Sequence, residues 1–165
     1  MWILTPPSER FFKDPQQRKQ VEALFSVIVP GEALAPSATD VDAVEYLDRL
    51  LAMDEKTYYE IPAWKELYTK ALPALDQACA AINNGATITQ LSKDKLVDLL
   101  DKLSKGQLSG FPAGLDQKVF FETLRNHCIE GCFADPRWGG NKDGKMWRWF
   151  GYLQDAEETM WRYTG

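Results

Sequence analysis

The sequence is poor in the side chains that most enzyme chemistry needs. It holds a single histidine, His127, in 165 residues. One histidine excludes the histidine-rich metal centres, and a dyad with the adjacent Cys128 is disfavoured because neighbouring residues on a helix point apart. A structural histidine, hydrogen-bonded near a helix end, fits better than a general base. Cysteine is also scarce, with only Cys79, Cys128 and Cys132, too few for a disulfide scaffold. Cys128 and Cys132 stand four apart, a spacing at which a disulfide inside a regular helix is strained. Together with His127 they do not match a zinc knuckle. Buried free thiols are the simplest reading. In an oxidising compartment the odd count leaves one thiol for a bond to another chain.

Other absences narrow the function further. No run approaches the roughly 20 apolar residues that cross a bilayer. The start, MWILTPPSERFFK, has no basic segment ahead of a sustained apolar one, so as it stands it does not read as a signal peptide. There is no basic excess either: 19 Lys and Arg are interspersed with 24 Asp and Glu, for a net charge of -5. Phosphate binding needs a local cationic footprint, so nucleic acid is not an expected partner. Gly139-Gly140-Asn141 and Asp143-Gly144 follow no strand and precede no Lys-Ser/Thr pair, which excludes a P-loop or dinucleotide fingerprint. Asp135, Asn141 and Asp143 lack the spacing and closing Glu of a calcium loop. Glu22, Glu45, Glu122 and Glu130 fall on helical faces without a catalytic pairing and read as solvated charge. The expectation is a chain with no catalytic, cofactor-binding or metal-binding residue of its own.

Hydrophobic residues make up 45% of the chain, enough for one core in one domain. No short stretch alternates cleanly enough to require a sheet, whereas helical spacing recurs. Residues 1–13, with two adjacent prolines, read as an extended arm, and 14–165 as the helical domain. Asp14 and Pro15 open a first helix, with Gln17 placed for a capping box, and Val21, Leu24, Phe25 and Ile28 follow before Pro30-Gly31 stops it. A second helix is expected from Asp40 with Val44, Leu47 and Leu51 inward. A third, from near Pro62, carries Trp64, Tyr68, Ala71, Leu75 and Ala78. Pro73 lies inside it and predicts a kink or a split. Leu91-Ser92 staples and caps a fourth helix, and Asp116 caps a fifth that fails at about Gly131 or Asp135-Pro136. The fold class is therefore all-α, about five helices, closed by an irregular, aromatic and glycine-rich segment over 133–152.

That segment, FADPRWGGNKDGKMWRWFGY, is the unusual part of the chain. Its aromatic side chains are too many for a solvated tail, so they either complete this domain's core or meet another protein. Tryptophan, tyrosine, arginine and methionine dominate interface hot spots, and Arg137, Met146, Arg148 and Met160 accompany the aromatics here. Trp161 and Tyr163 extend the same question to the terminus.

The stretch 130-EGCFADPRWGGNKDGKMWRWFGY-152 closely resembles the signature of the gluconate 2-dehydrogenase subunit 3 family, and 11-FFKDPQQRKQVEALFSVIVPG-31 is similar to that family's opening helix. The resemblance spans roughly residues 11–152. Within the element GFFxDPxYGGNxxxxxW the chain keeps Gly131, Phe133, Asp135, Pro136, Gly139, Gly140, Asn141 and Trp147, followed by Gly151 and Tyr152. Cys132, Trp138 and the pair Trp149-Phe150 depart from it at packing positions. The resemblance implies a non-catalytic small, or gamma, subunit of a membrane-associated flavin dehydrogenase acting on sugars. FAD would sit in a large partner of the glucose-methanol-choline type, and a c-type cytochrome with haem c would carry electrons onward. The small subunit would stabilise its partner, chaperone-like, and escort it through twin-arginine export to the periplasm. The leader that many members carry is missing here, which a processed chain or a cytoplasmic relative would explain. The candidate partner-facing residues are Cys132, Phe133, Asp135, Trp138 and Asn141, with Trp147, Trp149, Phe150 and Tyr152. The alternative reading is a stand-alone helical binding module.

Overall fold

The computed structural model describes residues 8–152, and within them the chain is all-helical with no strand. The five expected helices correspond to α1 (Pro15–Ile28), α2 (Ala43–Leu50), α3 (Ile61–Ile82), α4 (Lys93–Lys105) and α5 (Gln117–Phe133). A sixth, α6 (Lys145–Trp149), forms inside the segment expected to be irregular. The candidates Met160, Trp161 and Tyr163 lie outside the described residues.

Local chemistry sets most of the boundaries. The Asp14 carboxylate accepts the Gln16 N–H at 2.8 Å, and Pro15 supplies the preset backbone of a first helical residue. Asp116 caps α5 in the same way, accepting from Lys118 and Val119. α2 starts three residues later than Asp40 because the Asp40 carboxylate is engaged by Ser37 N–H and Oγ, and Asp42 takes a left-handed backbone with φ 50°. α3 runs unbroken through Pro73, contrary to the expected split. Pro73 and Thr69 both lie on the exposed face, so the Thr69 carbonyl that the ring deprives of a donor faces solvent.

The core joins α2 to α5, α4 to α5, and α1 across both α2 and α4. Phe25, Tyr68 and Phe120 are its largest fully buried side chains, surrounded by leucines from every long helix. The end of the arm is tied to this core. Asp48, itself buried, accepts the Phe12 N–H through its side chain at 2.8 Å and the Phe11 N–H through its carbonyl at 3.2 Å. Phe12 then packs edge-on against Tyr68.

An ion cluster holds α1 against α2. The Arg18 guanidinium reaches Asp42 at 2.9 Å and both Glu45 and Asp48 at 3.0 Å, while Arg49 and Arg10 also grip Glu45. Glu45 is therefore not a solvated face residue. Its carboxylate sits between three guanidinium groups.

Candidate functional site

α5 ends where Asp135-Pro136 forbids further helix, and the chain must then turn back over α2. Two glycines make that turn possible. A Cβ on Gly131 would stand 2.5 Å from the Ala43 carbonyl oxygen, so the glycine lets α5 and α2 approach backbone to backbone at this point. A Cβ on Gly140 would collide with the Gly131 carbonyl.

Asn141 locks the returning chain. It adopts a left-handed backbone, φ 36°, and is fully buried. Its N–H donates to the Gly131 carbonyl at 2.8 Å, its side-chain amide donates to the Ala134 carbonyl at 3.0 Å, and its side-chain oxygen accepts the Met146 N–H at 2.9 Å. One side chain thus satisfies the end of α5 and the start of α6, where backbone groups lack helical partners. Asp135 shapes the intervening 3-10 turn, Pro136–Trp138, accepting the Arg137 N–H at 2.9 Å and pairing with its guanidinium. That guanidinium holds the Asp135 carboxyl below the usual carboxylate range.

The aromatics divide by depth. The Trp147 indole is half-buried and donates to the Phe133 carbonyl at 2.9 Å, and its ring meets Tyr152. Trp138 is half-buried as well. Phe133, Trp149, Phe150 and Tyr152 stay between 42% and 59% exposed. Phe133 and Phe150 touch with ring centres 5.9 Å apart, and Phe150 touches Tyr152 at 6.0 Å. Trp149 lines a shallow groove with Leu34, Pro36 and Arg148, and Leu34 is 90% exposed. Apart from Trp149 in that groove, the structure brings four of the sequence-derived candidates, Phe133, Trp147, Phe150 and Tyr152, into one aromatic surface. Cys132 and Asn141 lie beneath it, buried, where they shape the surface and are not reached from outside.

His127 has a structural setting. It is buried beside Trp64, and its Nδ1 lies 3.0 Å from the Tyr68 hydroxyl. That hydrogen bond joins α3 to α5 inside the core. Burial pushes the His127 pKa down to about 4, so the ring is neutral. The cysteines are free and buried. A mutual hydrogen bond with Cys132, together with burial, pushes the Cys128 thiol well up. Among the described residues no cluster of His, Cys, Asp or Glu is arranged to hold a metal, and no helix is long and apolar enough to cross a membrane.

Sequence reasoning missed two features. One is the exposed Leu34, which stands in a loop without periodicity. The other is a cleft beside His127, whose Tyr46, Trp64 and Glu130 look like ordinary helix-face residues one at a time.

The described residues form a helical domain with exposed aromatic side chains near its C-terminal end. The profile of gluconate 2-dehydrogenase subunit 3 matches residues 15–153, and the chain belongs to that family. No curated protein and no solved structure matched. The chain is thus identified with a subunit of a dehydrogenase complex, as the signature at 130–152 implied.

Proposed function

We propose that this chain is a non-catalytic small subunit that stabilises the FAD-binding catalytic subunit of a sugar or glucoside dehydrogenase of the glucose-methanol-choline type, and assists its maturation and export. FAD belongs to that partner. A c-type cytochrome with haem c is a third component, and the complex works in the periplasm.

The observation that carries this reading is the exposed aromatic face. Phe133, Trp149, Phe150 and Tyr152 are held on a backbone that Asn141 and Asp135 fix by hydrogen bonds. Large aromatics kept in water and pre-positioned lose little side-chain entropy when a partner covers them, which is where interface energy concentrates. The face also lies within the stretch that the family profile matches.

The test is expression of the large flavin dehydrogenase of the same cells with and without this chain. The proposal expects the large subunit alone to lose soluble yield and bound FAD, and co-expression to restore both. Equal yield, FAD content and activity in the two cases would overturn it.

A further inference from the structure

A line of aromatic rings runs from the surface to the core along the start of α3. Tyr59, at its outer end, is 75% exposed. The Tyr59 and Tyr58 ring centres lie 4.9 Å apart, and Tyr58 stacks on the half-buried Trp64 at 5.3 Å. Trp64 meets the His127 imidazole edge-on at 4.6 Å, and His127 stacks on the buried Tyr68 at 5.8 Å. The rings against Tyr68 on its other sides are Phe12 and Phe120. Ring contacts at these spacings are ordinary aromatic packing. What sets this line apart is which rings it joins. Indoles and phenols give up an electron far more readily than phenyl rings, and here an indole leads through two phenols to solvent. A proton acceptor stands at the outer end as well. Hydrogen bonding to Glu60, and then to Tyr59, pushes the Tyr58 hydroxyl up to about 12.

We propose that Trp64, Tyr58 and Tyr59 form a relay that carries one-electron oxidation of the indole outward, away from the His127 and Tyr68 rings behind it. The oxidant class is a diffusible inorganic radical, such as the carbonate radical anion. It takes one electron from the Trp64 indole and leaves as carbonate. The indole radical cation then takes an electron from Tyr58 as the Tyr58 phenol passes its proton to the Glu60 carboxylate. Trp64 is restored, Glu60 is a neutral acid, and a neutral tyrosyl radical stands on Tyr58. Transfer of a hydrogen atom from the Tyr59 hydroxyl restores Tyr58 and leaves the radical on the most exposed ring. There a thiol in solution returns the hydrogen atom, and Glu60 gives its proton to water. The inference stands apart from the subunit reading, because this chain alone tests it.

The full chain is exposed to carbonate radicals, generated by light from a cobalt(III) carbonato complex, with a nitroso spin trap that tags tyrosyl radicals. Peptide mass spectrometry then locates the tags and the oxidised tryptophans. The expected result is a tag on Tyr59 and a largely intact Trp64. Tyr58→Phe keeps the stacked ring and removes the phenol, so Trp64 oxidation should rise several-fold and tagging of Tyr59 should fall. Glu60→Gln keeps a hydrogen-bond acceptor and removes the base, and it should also raise Trp64 oxidation. Tyr46→Phe, which removes a phenol outside the line, should leave Trp64 at the wild-type level. Unchanged Trp64 oxidation in folded Tyr58→Phe, or an equal rise in Tyr46→Phe, would overturn the relay. Wild-type behaviour of Glu60→Gln would overturn the assignment of Glu60 as proton acceptor.

Discussion

Asn141 does more for this fold than its polarity suggests. It is buried, in a left-handed conformation that asparagine tolerates better than most residues, and it makes three hydrogen bonds across the junction of α5 and α6. Asn141→Ala would leave the Met146 N–H and Ala134 carbonyl without their partner. The expected cost is about 2–4 kcal/mol, since each buried group left unpaired costs about 1–3 kcal/mol, read from urea unfolding midpoints. The asparagine was visible in the sequence only as a turn residue beside two glycines. Its partners are main-chain groups five, seven and ten residues away, which no side-chain pattern encodes.

His127 makes a second prediction at this scale. Burial lowers its pKa from the ordinary 6.5 to about 4. The unfolded chain gains a proton as pH falls through 6.5, while the folded chain stays neutral until near 4. Stability from this group is therefore complete above the unfolded value and is lost progressively as pH falls between the two, by about 3 kcal/mol in total. NMR titration of the single imidazole should give a midpoint near the lower value. A midpoint at the ordinary histidine value would contradict the buried setting.

At the scale of elements, the contact between α5 and α2 depends on Gly131. Gly131→Ala would drive a methyl into the Ala43 carbonyl, and overpacking of this kind costs about 1–3 kcal/mol. Thermal unfolding checks it, with a lowered midpoint expected. The ion cluster between α1 and α2 predicts an acid limb. Burial raises the Glu45 pKa, but hydrogen bonds from Arg10 and Arg49 outweigh it and the net value is lowered from the ordinary 4.5. Its contribution is present above that ordinary value and is lost as pH falls through the folded one. Glu45→Gln should therefore flatten stability against pH in that range, measured by urea unfolding across pH.

The five long helices were legible because caps and apolar spacing are local signals, as Asp14, Ser92 and Asp116 illustrate. The boundary of α2 was not, because Ser37 competes for Asp40 through a turn. Continuity of α3 through Pro73 depends on which side of the helix faces solvent, which only packing decides. Glu45 looked solvated because Arg10 and Arg18 approach it from other elements.

At the scale of the whole molecule, the described residues combine a packed core with exposed aromatic side chains. The core buries the large side chains of every long helix, so the exposed aromatics are not needed to finish it. The sequence showed that the aromatic segment was special and left open whether it was core or interface. Depth separates the residues: Trp147 and Trp138 are half-buried, and Trp149 and Phe150 are open. The double change Trp149→Asp, Phe150→Asp should therefore leave folding stability within about 1 kcal/mol, as for exposed positions generally. Association should weaken by about 2 kcal/mol or more if these are hot spots.

The most direct measurement is affinity purification of this chain from its native cells, wild type beside the Trp149→Asp, Phe150→Asp variant, with mass spectrometry and a visible spectrum of each eluate. The account predicts that the wild type brings down a large flavoprotein with flavin absorption and that the folded variant loses it. A colourless wild-type chain eluting alone, or a folded variant that keeps the flavoprotein in full, would contradict it.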